Sequence, residues 1–222
     1  MQRTLALIHT SPVLVPAFTE LATRHLEGVK IFHMVDESLI KNTIQQGKLT
    51  KPTIRRVAAH VESAFQAGAD AVMVTCSSIG PSVNVARGLF DGPVLRIDER
   101  MAERAVQSGE RIGVIATLDT TLAPTVELVR STAERLGRSP QIVSRLCEGA
   151  FAAVLRGDTQ THDRAVKEAL TELAKEVDVI VLAQASMARV VEQLSPEQRS
   201  VPILASPPLA MEQAREVLAA LG

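Results

Sequence analysis

The 222-residue chain contains no tryptophan and no tyrosine, and only five phenylalanines. Sites that stack nucleobases, flavins or other large aromatic ligands are usually built on such rings. Their scarcity favours a small, polar, non-aromatic ligand. Cysteine is scarce as well, with only Cys76 and Cys147. Two thiols make neither a disulfide framework nor a thiolate-rich zinc site. The five histidines are scattered without His-Glu-x-x-His or comparable ligand spacing, so no metal site is expected. Charge of one sign is also missing: 24 basic side chains against 25 acidic ones leave a net charge of −1. That balance supplies no basic field to draw in nucleic acid or a membrane surface. No apolar run is long enough to span a bilayer. The apolar segment Leu5–Ile8 near the N-terminus is too short for a secretory signal core, so the expected location is the cytoplasm.

What is present is globular. Hydrophobic residues make up 46% and charged residues 22%, and the length suffices to bury a substantial core. The chain also repeats itself. Arg3–His9 reads as a buried strand, and Arg111–Thr117 has the same pattern. At the same offset, Gly68–Ser78 with its Asp70, Cys76 and Ser78 matches Glu176–Ser186 with Asp178, Gln184 and Ser186. A third match, Gly92–Leu95 against Val201–Leu204, slips by one residue. Three matches in one order argue for duplication.

Short β-branched runs alternate with amphipathic stretches such as Lys51–Ala67 and Thr161–Lys175. Such alternation predicts an α/β fold with parallel sheets covered on both faces. Strands are expected near 4–9, 29–35, 70–75 and 93–97, then near 111–116, 140–145, 178–183 and 201–204. The expected architecture is two pseudo-symmetric halves, each a four-stranded parallel sheet flanked by helices. The halves are 1–98 plus 207–222, and 99–206. The last helix, Pro208–Leu221, is expected to pack back on the first half.

Ligands of open parallel sheets bind beyond the carboxyl ends of the strands, so the active site is expected in the cleft between the halves. The turns that would line it are rich in small hydroxyl residues: His9–Pro12, Thr75–Ser78, Thr117–Thr121 and Ala183–Ser186. Backbone N–H groups and hydroxyls at helix starts suit a carboxylate, although the same residues also serve as helix caps. Cys76 fits either a small apolar strand-end residue or a reactive thiol. The Thr-Cys-Ser-Ser context and the repeat favour the thiol, whose pKa a helix start can lower toward neutrality. Cys147 has no repeat partner and reads as structural. His9 could orient a substrate or could be a satisfied structural histidine. Asp36 and Glu37 read as a cap for a helix from Leu39, Asp70 and Asp178 as structural, and Arg55-Arg56 as a solvated face.

These residues resemble the aspartate/glutamate/hydantoin racemase superfamily over essentially the whole chain. Val72–Ser78 resembles the motif of its first cysteine. Asp178–Ala188 resembles the second, in the Gly-Cys-Ala-Gly-Met-Ala form of hydantoin and allantoin racemases, except that Gln184 stands where the second cysteine belongs. Glu148–Phe151 and Gly157-Asp158 are also similar to the group. The resemblance implies a cofactor-independent isomerase that moves a proton at the carbon alpha to a carboxylate or carbonyl of a small carboxylic acid, amino acid or related amide. Cys76 would be the acid/base or nucleophile. Substrate contacts would come from His9, Ser11, Ser77, Ser78, Thr117, Thr120, Thr121, Gln184 and Ser186, with no metal and no cofactor. An amide cannot transfer a proton at neutral pH, so Gln184 opens alternatives. One is a single-cysteine lyase or decarboxylase, like the arylmalonate decarboxylases. A second is a nucleophilic cysteine, as in maleate isomerases. A third is a non-catalytic small-ligand binding protein. A homodimer or larger homo-oligomer is the default assembly.

Overall fold

Strands buried on both faces carry continuous apolar runs, and the central strands of this chain follow that rule. In the computed structural model, which describes residues 2–222, β1 (Thr4–His9) is followed by β2 (Lys30–Val35), β3 (Ala71–Val74) and β4 (Val94–Arg96). They form a parallel sheet in the order β2-β1-β3-β4. A second parallel sheet contains β5 (Arg111–Ala116), β6 (Gln141–Leu146), β7 (Val179–Leu182) and β8 (Ile203–Ala205), in the order β6-β5-β7-β8. The central strands β3 and β7 are buried throughout, whereas the edge strands β2 and β6 are only partly covered. The chain divides into two compact units. Unit 1 is the chain up to Glu99 with Pro207–Gly222, and unit 2 is Arg100–Ser206.

In unit 1, alternate residues of β1 face opposite layers. Leu5 and Leu7 pack with Phe18, Met73, Met211 and Leu218, under the helices Leu14–His25 and Ser206–Ala220. Ala6 and Ile8 pack on the other side with Val57, Val61, Val72 and Val74, under the helix Lys51–Gln66. Each large apolar side chain buried in this way contributes about 1.5–3 kcal/mol. The last helix therefore returns to the first sheet, as expected. In unit 2, Ile115, Ile180 and Leu182 pack with Leu170, Leu173 and Met187, and Cys147 belongs to the same apolar cluster. Gly113 allows the helix Thr159–Leu173 to approach β5 closely, since a Cβ there would lie 2.8 Å from Leu173 Cδ2.

The repeat is visible in the hydrogen bonds. Asp70 accepts from the Thr4 N–H at 2.7 Å and from the Arg3 guanidinium, tying the start of β1 to the start of β3. Asp178 does the same for β5 and β7, accepting from the Arg111 N–H at 2.8 Å and from the Arg111 side chain. Both aspartates are thus structural and sit at the amino ends of the strands.

The pairing register corrects one detail of the repeat. Leu5 pairs with Ala71, and Ile112 pairs with Val179. With Ala71 matched to Val179, Leu5 corresponds to Ile112, so the first-strand match is one residue shorter than Arg3 against Arg111 implies. Thr10, not His9, is the counterpart of Thr117. Asp36 caps the helix Glu37–Gln46, which begins two residues earlier than expected, and it also pairs with Arg56 at 2.6 Å. Arg56 is therefore an ion-pair partner and not simply a solvated charge. Among the described residues no helix is long and apolar enough to cross a membrane.

Candidate active site

Each sheet changes direction between its two central strands, β1 and β3 in unit 1 and β5 and β7 in unit 2. The carboxyl ends flanking such a switch are where open α/β sheets take ligands. In unit 1 this point carries Thr10 and Ser11 after β1, and Thr75, Cys76, Ser77 and Ser78 after β3. Cys76 leaves β3 in extended conformation and starts the single 3₁₀ turn Ser77–Ile79. The residue is half-buried. Its sulphur is approached by the hydroxyls of Thr10 and Ser78 and by the N–H groups of Ser78 and Ile79, all of which favour the thiolate. None of these approaches amounts to a side-chain cap of the turn. Burial is the largest influence and acts the other way, so the thiol is pushed up overall. The expected shift toward neutrality is therefore reversed. At rest Cys76 is a protonated thiol, and its neighbours lessen the cost of the anion without removing it.

Thr10, which lies in the turn His9–Pro12 but was not among the expected substrate contacts, approaches the thiol. Thr10 and Thr117 each follow the first strand of a unit. His9, expected among the substrate contacts, is instead sealed in the core at 0% exposure. Thr75 Oγ1 donates to the Ile8 carbonyl at 3.0 Å, so it accepts from His9 Nδ1–H at 2.8 Å. His9 Nε2 is then the acceptor for His33 Nδ1–H at 2.8 Å. Both ring nitrogens are committed, and the ring packs edge-on against Phe18. Burial, with the neighbouring His33, lowers the His9 pKa to about 4, so the ring is neutral. His9 is a positioning residue for Thr75, which immediately precedes Cys76.

Ser77 and Ser78 are buried within the Cys76 turn, and Ser11 is half-buried, its carbonyl accepting from the Leu14 N–H. In unit 2 the equivalent turn is organised by an amide. Gln184 Oε1 accepts from the Thr117 N–H at 2.6 Å and from Thr117 Oγ1 at 2.9 Å. A backbone N–H can only donate, so the amide orientation is fixed and Gln184 Nε2 keeps its two N–H donors for another partner. Gln184 is half-buried and Ser186 is exposed. The helix Asp119–Arg135 that follows Thr117 has no side-chain cap. Thr120 Oγ1 is buried without a hydrogen-bond partner among the described residues, while Thr121 is buried in the same turn. Thr120 Oγ1 therefore does not cap the helix, and the capping alternative fails for Thr120.

Cys147 lies in unit 2, just after β6. It is 5% exposed, packs in the apolar cluster of unit 2, and burial pushes its thiol up to about 11. Among the described residues no group of three or more His, Cys, Asp or Glu is placed to hold a metal ion.

Paired parallel sheets with matched turns at their switch points, one turn centred on a thiol, define a duplicated α/β protein of the racemase type. The family model for Asp/Glu/Hydantoin racemase matches residues 8–214, and the chain belongs to that family. Membership makes it an enzyme of the isomerase class. No curated protein matched the chain. Among solved structures, an allantoin racemase from Klebsiella pneumoniae is similar at a TM-score of 0.70 and 20% identity, over 99% of this chain and 89% of that one. A glutamate racemase from Bacillus anthracis gives a TM-score of 0.76 and 19% identity over 99% and 83%. An aspartate racemase from Picrophilus torridus gives 0.71 and 12% over 98% and 94%. At such identities these likenesses establish the shared fold.

Proposed function

We propose that the protein catalyses cofactor-independent proton transfer at the carbon alpha to a carboxylate or carbonyl of a small polar acid, amino acid or related amide, with Cys76 as the proton-transfer group. The observation that carries this reading is the placement of the Cys76 sulphur at the carboxyl end of β3, faced by the N–H groups of Ser78 and Ile79 and the hydroxyls of Thr10 and Ser78. In one direction the thiolate takes the α-proton, forming S–H, and the electron pair left on carbon is delocalised onto the carboxylate or carbonyl oxygen. In the other direction the S–H bond breaks and C–H is restored. Preorganised donors stabilise the charge that develops on that oxygen.

One observation favours a second reading. The residue matched to Cys76 is Gln184, an amide locked by Thr117, and Cys76 itself rests protonated. A single S–H is sufficient for a decarboxylase. There the bond to the leaving carboxylate breaks, carbon dioxide departs with the electron pair left on carbon, and Cys76 protonates that carbon before regaining a proton from water.

Incubation in D₂O with panels of amino acids, hydantoins and substituted malonates, followed by NMR, separates the two. Deuterium at the α-carbon of an intact skeleton supports proton transfer. Carbon dioxide release with one deuterium incorporated supports the lyase. Saturable binding with neither outcome across the panels overturns both.

A further inference from the structure

Behind the Cys76 turn lies an ion pair that the proposed chemistry does not use. Val74, two residues before Cys76, pairs with Arg96 across β3 and β4. Arg96 is 3% exposed and Asp98 0%. The guanidinium meets the carboxylate side-on, Nε to Oδ1 and Nη2 to Oδ2, both at 3.0 Å. The 3₁₀ turn that begins at Cys76 ends on Gly80, and Gly80 has ordinary right-handed backbone angles of φ −51 and ψ −40. Its backbone therefore does not require glycine. Its surroundings do: a Cβ there would lie 2.7 Å from Arg96 Nη2, 2.8 Å from Nε and 2.9 Å from Cζ. The guanidinium is anchored by Asp98 and has no slack to yield.

We propose that the Arg96–Asp98 pair is a positioning clamp for the Cys76 turn, in which the buried guanidinium seated against Gly80 sets where the Ser78 and Ile79 N–H groups stand relative to the sulphur. The turn is only a few residues long and internally bonded, Ile79 N–H to the Cys76 carbonyl at 3.3 Å and Gly80 N–H to the Ser77 carbonyl at 3.1 Å. A displacement at Gly80 is therefore carried straight to the two N–H groups that face the thiol. A buried pair is an expensive way to fill space, since well-packed apolar residues of similar volume often serve stability equally well. A rigid planar fork fixed by a carboxylate is, however, a stiffer stop than an apolar side chain. Neither residue reaches the reacting atoms in this account.

The inference rests on Cys76 being the reacting group, so its test reads the thiol directly and needs no substrate. In the 222-residue chain carrying Cys147→Ala, Cys76 is the one remaining cysteine, and its alkylation by iodoacetamide is followed against pH. The variants are Gly80→Ala, Arg96→Lys, and the apolar pair Arg96→Met with Asp98→Leu, with circular dichroism and thermal unfolding to follow the fold. The clamp predicts that folded variants shift the alkylation midpoint upward by about one pH unit, because donors that favour the thiolate are displaced. A folded Arg96→Lys or Met/Leu variant with an unchanged midpoint overturns it. So does the unfolding of all three variants, which would make the pair a support for the whole unit and not for this turn. A shifted midpoint together with no turnover on any substrate would sustain the clamp while the proposed reaction fails.

Discussion

Replacing Cys76 by serine separates chemistry from folding. The sulphur sits at the start of the Ser77–Ile79 turn, and the groups that face it belong to Thr10, Ser78 and Ile79. All of them can donate to a serine oxygen as well as to sulphur, and the half-buried site has room for the smaller atom. Stability should therefore stay within about 1 kcal/mol of the parent. The chemistry should not survive. An alcohol in this environment does not ionise near neutrality, and loss of a positioned acid or base costs about 10²–10⁴-fold in rate, equivalent to about 3–5 kcal/mol of barrier. The assay is α-deuterium incorporation in D₂O, or product formation if carbon dioxide is released, with urea unfolding measured on the same preparation. Activity within tenfold of the parent in a protein of parental stability would refute the assignment of Cys76. A loss of activity accompanied by a large loss of stability would refute the claim that serine can inherit the site's donors.

Two further outcomes follow from the surroundings of the thiol. Thr10→Val removes one hydroxyl that favours the thiolate, so the alkylation midpoint of Cys76 should rise and alkylation at fixed pH should slow, with β1 pairing undisturbed. An unchanged midpoint would mean that Thr10 does not act on the sulphur. The buried His9 gives a pH dependence with a definite sign. Its pKa is about 4 in the folded protein against 6.5 when free. The folded state thus binds fewer protons than the unfolded state between those values. The stability contribution is fully present above about pH 6.5 and lost as pH falls toward 4, to the extent of about 3 kcal/mol. Urea unfolding of the parent should show this loss, and His9→Gln should flatten it. Asp36, held down to about 2 by Ser38, His60 and Arg56, loses its contribution only in more acidic solution, so the two windows do not overlap.

The duplicated α/β architecture was readable because the apolar runs and the Asp70 and Asp178 positions recur. The register of β1 against β5 was not. A half-exposed strand announces its register by alternation, and a one-residue slip is then obvious. β1 and β5 are buried on both faces, so their sequences carry no alternation to align. The match of Arg3 with Arg111 therefore runs one residue out of register, setting His9 in place of Thr10 opposite Thr117. The reversed pKa of Cys76 was hidden for a different reason. A helix start is legible locally, whereas desolvation is the work of residues brought together only by folding, among them Ile8, Leu39 and Val57 of the apolar cluster against which Cys76 packs. Arg96, the last residue of β4, and Asp98, just after it, were overlooked because charged residues at a strand end usually face water.

With the register corrected, the two units become one experiment performed twice on a single backbone. Thr10 and Thr117 occupy the same place, as do Cys76 and Gln184, and each of the latter begins a 3₁₀ turn. What differs is side-chain reach. Cysteine is short, so its sulphur remains within its own turn among the N–H groups of Ser78 and Ile79. Glutamine is long enough to return to Thr117, where its oxygen accepts both the N–H and the hydroxyl. One turn thus presents an ionisable group, while the other presents fixed amide donors that cannot ionise. A mechanism that treats the two positions as equivalent acids and bases does not fit this chain. An amide does not exchange a proton near neutrality, so of these two matched positions only Cys76 can serve as an acid or base, and Gln184 can act only by hydrogen bonding.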